Sequence, residues 1–205
     1  MKVDKSGDIM IICLYMDDMI FTASNPAMFE EFKRLMKKEF EMTDLGELSY
    51  FLGVEVQQRE DGIFISQKKY AEEILKKFRM ENNKAISTPA DPGIKLRKDS
   101  KEEGVDPTMF KSLVRSIRYL TFTRPNIMYA VGVVSRHIEE PKQDHFTATK
   151  RILRYVNGIR DHGLKYSTGK DLKLFGYSDS DYGVDVNDQK RTSRYAFNMG
   201  TAAFS

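Results

Sequence analysis

Two aspartates stand side by side inside an apolar run, Cys13-Leu14-Tyr15-Met16-Asp17-Asp18-Met19-Ile20-Phe21. An ionised carboxylate buried without a partner costs enough that it would sooner change its protonation state than stay charged. Two adjacent carboxylates repel as well, so this pair needs water or a cation. The natural neutraliser is a hard divalent ion such as Mg2+, with Mn2+ as a substitute, held by one or two carboxylates together with substrate phosphates. Two such ions close together make a centre for in-line phosphoryl transfer. The plainer reading of the same residues is a polar turn facing solvent, since aspartate is a common turn residue.

The flanking residues must place those carboxylates. Ile9 to Tyr15 and Met19 to Thr22 are β-favouring runs joined through Met16-Asp17-Asp18, which predicts a hairpin with the carboxylates at its tip. Asn25-Pro26 supplies an N-cap and a first-turn proline, and Met28, Phe29, Phe32, Leu35, Met36 and Phe40 follow at helical spacing. Leu48 to Gln57 and Ile63 to Ser66 predict a second strand pair closed by Asp61-Gly62, and Tyr70, Ala71, Ile74, Leu75 and Phe78 mark another amphipathic helix. Prolines and glycines among charges between Glu81 and Thr108 predict a linker and a domain boundary. Beyond it, Met109 to Leu120, Pro125 to Ile138 and His145 to Val156 read as helices. Gly163 to Tyr166, Leu172 to Tyr177 and Tyr195 to Met199 read as strands.

The 205 residues, 40% hydrophobic, suffice for a real core. A net charge of +3 neither demands nor excludes a nucleic-acid partner, but the segment from Lys111 to Lys165 carries 11 Lys and Arg against 4 Asp and Glu. Within it Lys150, Arg151 and Arg154 fall on neighbouring turns of one helix, a stripe that could follow a phosphate backbone or simply face solvent. The lone Cys13 is read as core and fits a reducing compartment, and with no long apolar run the chain reads as intracellular, cytoplasmic or nuclear, with no membrane partner. Met16, Met19, Met28 and Met36 are read as core fillers, and His137, His145 and His162 lack the spacing of a zinc site.

Tyr15-Met16-Asp17-Asp18 resembles the tyrosine-x-aspartate-aspartate motif of reverse transcriptases, and its neighbours resemble the copia-type retrotransposon branch. Thr43-Asp44-Leu45-Gly46-Glu47-Leu48-Ser49-Tyr50-Phe51-Leu52-Gly53 is similar to the family's primer-gripping hairpin, and Ile65-Ser66-Gln67-Lys68-Lys69-Tyr70 to the opening of its thumb. Ser87-Thr88-Pro89, Arg118-Tyr119-Leu120, Thr123-Arg124-Pro125-Asn126-Ile127 and Arg151-Ile152-Leu153-Arg154-Tyr155 continue in family order, and Gly176-Tyr177-Ser178-Asp179-Ser180-Asp181 resembles the start of the ribonuclease H domain.

The resemblance implies an α+β chain: the C-terminal half of a palm over 1–66, a thumb-like helix and linker over 67–108, a helical connection over 109–165, and a ribonuclease H-like opening over 166–205. It implies that Asp17 and Asp18 are catalytic metal ligands, that Asp179 is the first ribonuclease H carboxylate, and that Phe51, Leu52 and Gly53 grip the primer of an RNA–DNA or DNA primer-template. The family's third palm aspartate and its fingers lie upstream of the matched residues, so the expectation is a polymerase fragment inactive by itself, with an upstream Pol fragment as partner. Asp8 lies nine residues before Asp17, so it stands roughly 30 Å away along a strand and cannot replace that ligand; nor can Asp4. Asp181, Asp185 and Asp188 are read as a solvated face. Arg115 and Arg194 replace the family's usual glycines and Tyr182 its usual tryptophan. The alternatives are a non-catalytic nucleic-acid-binding remnant and a degenerate element product without a role.

Overall fold

A computed structural model describes residues 1–3, 5–91, 93, 96–169, 173–181 and 192–204. They form an α+β structure in two compact units, Met1–Leu48 and Ser49–Ser205. In the first unit β1 (Lys2–Val3), β2 (Ile9–Tyr15) and β3 (Asp18–Ala23) form an antiparallel sheet in chain order, and α1 spans Pro26–Glu39. Asn25 caps α1 as its sequence predicts, its side chain accepting from the Ala27 N–H at 2.9 Å. The helix covers one sheet face, where Phe21 stacks on Phe29 at 4.7 Å and meets Phe32 edge-on at 5.0 Å.

Alternation along β2 decides which residues share that cover. Ile12 pairs with Phe21, so Ile11, Cys13 and Tyr15 point to the face opposite α1. Cys13 is therefore exposed rather than core. After α1 the chain turns back through Asp44, whose carboxylate takes Lys33 Nζ at 2.6 Å and accepts from the Gly46 N–H at 3.0 Å.

In the second unit β4 (Tyr50–Phe51), β5 (Val54–Arg59), β6 (Gly62–Ser66) and β7 (Gly163–Ser167) form one antiparallel sheet in that order. Four helices pack beside it: α2 (Lys68–Lys77), α3 (Pro107–Leu120), α4 (Met128–Ser135), entered through a 3-10 turn at Pro125–Ile127, and α5 (Gln143–Gly158). Their buried residues, including Ile74, Leu75, Phe110, Ile117, Val131, Ile152 and Leu153, form one continuous core. The 81–108 stretch thus joins helices that share a core, and the division falls between Leu48 and Ser49 instead. A third sheet, β8 (Leu174–Asp181), β9 (Thr192–Met199) and β10 (Ala202–Phe204), is antiparallel in the order β10-β9-β8.

Two strand boundaries differ from the sequence reading. The run from Leu48 to Gln57 breaks at Leu52-Gly53, which form a hairpin turn of their own between paired Phe51 and Val54. The β5–β6 turn uses Glu60 and Asp61, while Gly62 already pairs with Arg59. Gly62 serves a different need: a Cβ there would stand 2.1 Å from the Tyr166 carbonyl oxygen of β7, at a φ of 141°. Arg115 sits exposed in the interior of α3, where no positive φ is needed, so arginine carries no backbone cost.

A buried polar network ties the second unit's junctions. Arg124, 1% exposed, donates to Thr123 Oγ1 at 3.2 Å and to the Arg160 carbonyl at 2.9 Å. Thr123 Oγ1 donates to Gln67 Oε1 at 2.9 Å, and Gln67 Nε2 donates to the Tyr119 carbonyl at 3.3 Å. At the start of α5, His145 Nδ1 accepts from the Lys142 N–H at 3.0 Å, and its ring stacks on His137 at 3.8 Å.

Gly62→Ala is expected to lower stability by about 2 kcal/mol or more, read by denaturant unfolding, because backbone stands where the methyl must go. The hydrogen bond from Lys33, then that from the Gly46 backbone, hold the Asp44 carboxyl down at about 2. Its contribution is complete above the ordinary value of 3.8 and fades as pH falls through about 2. Carboxyl-detected NMR should find this low midpoint, and Lys33→Ala should move it upward.

Candidate functional site

The Tyr15-Met16-Asp17-Asp18 segment closes β2 onto β3 with Met16 and Asp17 as the two turn residues and Tyr15 paired with Asp18. Met16 takes a φ of 51°, a left-handed conformation that side-chain-bearing residues normally avoid. It is 82% exposed, so it does not fill the core as its type suggests. Asp17 and Asp18 are both exposed, and no hydrogen bond or ion pair ties either carboxylate to a described residue. Their apolar neighbours on the hairpin do not bury them, so the water or cation that the pair requires has free access.

Asp8 lies at the opposite end of this hairpin, where its carboxylate accepts from Ser24 Oγ at 3.1 Å and from Asn25 Nδ2 at 2.8 Å. It fixes the strand ends and the start of α1 rather than joining the aspartate pair. Asp4 lies outside the described residues. Among the described residues no group of three or more His, Cys, Asp or Glu is placed to hold a metal ion.

The second hairpin tip carries Phe51, half-buried, with Leu52 and Gly53 in the turn. Both turn residues have positive φ, 48° for Leu52 and 76° for Gly53. Glycine meets that demand freely, whereas leucine does so at a cost. The Tyr119 hydroxyl of α3 donates to the Leu52 carbonyl. Gly53 was the one sequence signal that could have revealed this turn; nothing in the spacing pointed to Tyr119.

On α5 the basic stripe is engaged within the chain. Arg151 donates to Thr88 Oγ1 at 2.9 Å and lies 3.5 Å from Asp91, and Arg154 donates to the Lys84 carbonyl at 2.9 Å. Lys150 lies over the Phe146 ring at 4.3 Å. A phosphate contact by either arginine competes with these bonds. Asp179 lies in β8, in register with Arg194 of β9, and its side chain is outside the described atoms, as are those of Asp181 and Arg194; Tyr182, Asp185 and Asp188 lie outside the described residues altogether.

Residues 1–92 match the family model described as reverse transcriptase (RNA-dependent DNA polymerase). The retrovirus-related Pol polyprotein from transposon RE1 of Arabidopsis thaliana is 34% identical over 97% of this chain, and that from transposon TNT 1-94 of Nicotiana tabacum is 35% identical over 97%. The uncharacterized mitochondrial protein AtMg00810 of Arabidopsis thaliana is 36% identical over 93% of the chain and 79% of its own length. The chain belongs to the copia-type reverse transcriptase family. It corresponds to only 14% of the RE1 and 16% of the TNT 1-94 polyprotein. No solved structure matches it. The shared sequence extends the resemblance seen in the motif to nearly the whole chain. No helix among the described residues is long and apolar enough to cross a membrane.

The left-handed Met16 gives the aspartate hairpin a measurable strain. Met16→Gly should raise stability by about 1 kcal/mol in urea unfolding, since glycine takes this conformation without steric cost; a loss of stability would show that the methionine is unstrained there.

Proposed function

We propose that this chain is a nucleic-acid-holding part of a reverse transcriptase that contributes Asp17 and Asp18 to a Mg2+-dependent nucleotidyl-transfer centre without completing that centre by itself. The observation that carries this reading is the hairpin tip itself: two adjacent carboxylates, exposed and unclaimed by described neighbours, on a turn that places a methionine in a left-handed conformation. Strained backbone of this kind gathers at functional sites.

The donor set fits the ion. Two carboxylates without partners among the described residues are hard oxygen ligands of the type that hold Mg2+, or Mn2+ in its place, when phosphates supply further ligands. Bound there, the ion would offset charge on the transferring phosphoryl group. Asp17 and Asp18 act as its ligands, and the short hairpin holds them together. An upstream Pol segment is the proposed source of the remaining carboxylate and of the groups that position the nucleotide, because positioning is most of phosphoryl-transfer catalysis.

The proposed partner is an RNA–DNA or DNA primer-template, gripped through Phe51, Leu52 and Gly53, with Lys150 and the α5 arginines as further phosphate contacts. Asp179 is the proposed first carboxylate of a ribonuclease H-like domain, an assignment supported by its place in an antiparallel strand of the third sheet. A purely binding role is the second reading, favoured because the described residues bring no third metal ligand to the hairpin.

Fluorescence anisotropy of a labelled RNA–DNA primer-template tests the binding role, and affinity is expected to fall about tenfold or more from low to moderate salt. A flat salt response would refute it. Mn2+ should broaden the NMR amide signals of residues 15–19, and Asp17→Asn with Asp18→Asn should abolish that broadening. Primer extension by the chain alone, lost in Asp17→Asn, would overturn the incomplete-centre assignment and favour a self-sufficient enzyme.

A further inference from the structure

The turn at Leu52-Gly53 is under a backbone demand that leucine meets poorly, yet it is held from outside its own hairpin. The Tyr119 hydroxyl donates to the carbonyl of Leu52, the residue with the left-handed φ of 48°. The ring of Tyr119 also lies beside the turn: a Cβ built on Gly53 would stand 3.4 Å from Tyr119 Cε1, an ordinary contact distance. Tyr70 of α2 meets that ring edge-on at 5.0 Å and 86° and fixes its tilt. The Tyr119 backbone is itself anchored through Gln67 Nε2, Thr123 and the buried Arg124. The hydroxyl of Tyr119 is thus tied to the β4–β5 turn, and its ring and backbone to α2 and the residue that begins it.

We infer that Tyr119 is a positioning residue that holds the Leu52-Gly53 turn in the conformation that receives a nucleic-acid strand. The inference rests on the nucleic-acid reading above and adds a residue that neither the hairpin motif nor its spacing contains. Leu52 remains 40% exposed at the tip, so the clamp fixes the turn and leaves its outer surface open. A leucine at positive φ would relax toward extended backbone if released, and its carbonyl would rotate away from the conformation now held.

The test uses the full chain and three forms: wild type, Tyr119→Phe, and Tyr119→Phe combined with Leu52→Asn. Phenylalanine keeps the ring beside Gly53 and Tyr70 and removes only the hydroxyl. Asparagine tolerates the left-handed conformation, so it should hold the turn without the clamp. Hydrogen exchange of residues 50–55 in the free protein should quicken about fivefold in Tyr119→Phe, and primer-template affinity should fall by a similar factor, the effect of one lost hydrogen bond. The unfolding midpoint should fall by no more than the loss of one such bond accounts for, and Leu52→Asn should restore the slow exchange.

Unchanged exchange in Tyr119→Phe would overturn the clamp. Faster exchange with unaltered affinity would overturn its role in receiving a strand. If the wild type binds no primer-template at any salt, the nucleic-acid reading fails and the receiving role fails with it, while the exchange result still decides whether the clamp exists.

Discussion

A guanidinium is buried in the second unit with no ion pair to a carboxylate among the described residues. Arg124 is buried, its Nε–H donates to no described residue, and desolvation pulls its pKa down to about 10, against the pull of Asp161 and Glu55. Burying a charge this way is tolerated only where its remaining donors are well used. Here they satisfy Thr123 and the Arg160 carbonyl, and through Thr123 they orient Gln67. Gln67 begins α2, Thr123 and Arg124 form the corner before α4, and Arg160 lies in the turn between α5 and β7. One side chain therefore sets three junctions, and helix packing alone would leave each of these polar groups stranded.

The two hairpin tips that carry the proposed metal ligands and the proposed primer grip share a property. Each places a large side chain at positive φ, Met16 in one and Leu52 in the other, although glycine or asparagine would be easier. Arg79, at the end of α2, is the one other non-glycine residue with positive φ among the described residues. Local preference and tertiary demand conflict at these tips, as they tend to where backbone shape serves function. The solutions differ: the Leu52 turn is braced by an aromatic residue from a distant helix, whereas the Met16 turn stands in solvent.

Much of the architecture was legible in the sequence because periodicity and punctuation carry it. Asn25-Pro26 announced α1, and the apolar spacing of α2, α3 and α5 marked the faces that now form the core. The aspartate pair announced its hairpin because two charges inside an apolar run must reach water or a cation, and a tight turn lets them do so. What stayed hidden depends on partners far apart in the chain. Cys13 looks like core from its neighbours, but the register puts it on the sheet face opposite α1, where it is exposed. Gly62 looks like a turn residue, but its reason is the close passage of β7, about a hundred residues later. Arg151 and Arg154 stand out in the sequence as a basic stripe, but nothing in it announces that they also bind the stretch that joins α2 to α3. Side chains that bridge long separations leave no periodic trace.

The exposure of Cys13 has a practical side. It is the sole cysteine of the chain, it is exposed on the face of β2 opposite α1, and only Leu14, Tyr15 and Met16 separate it from Asp17. At about 3.3 Å per residue the thiol lies roughly 13 Å along the strand from the aspartate pair, well within the range of a paramagnetic or fluorescent tag. The natural sequence thus offers an attachment point beside its own candidate metal ligands, and a single-site label needs no cysteine to be added or removed.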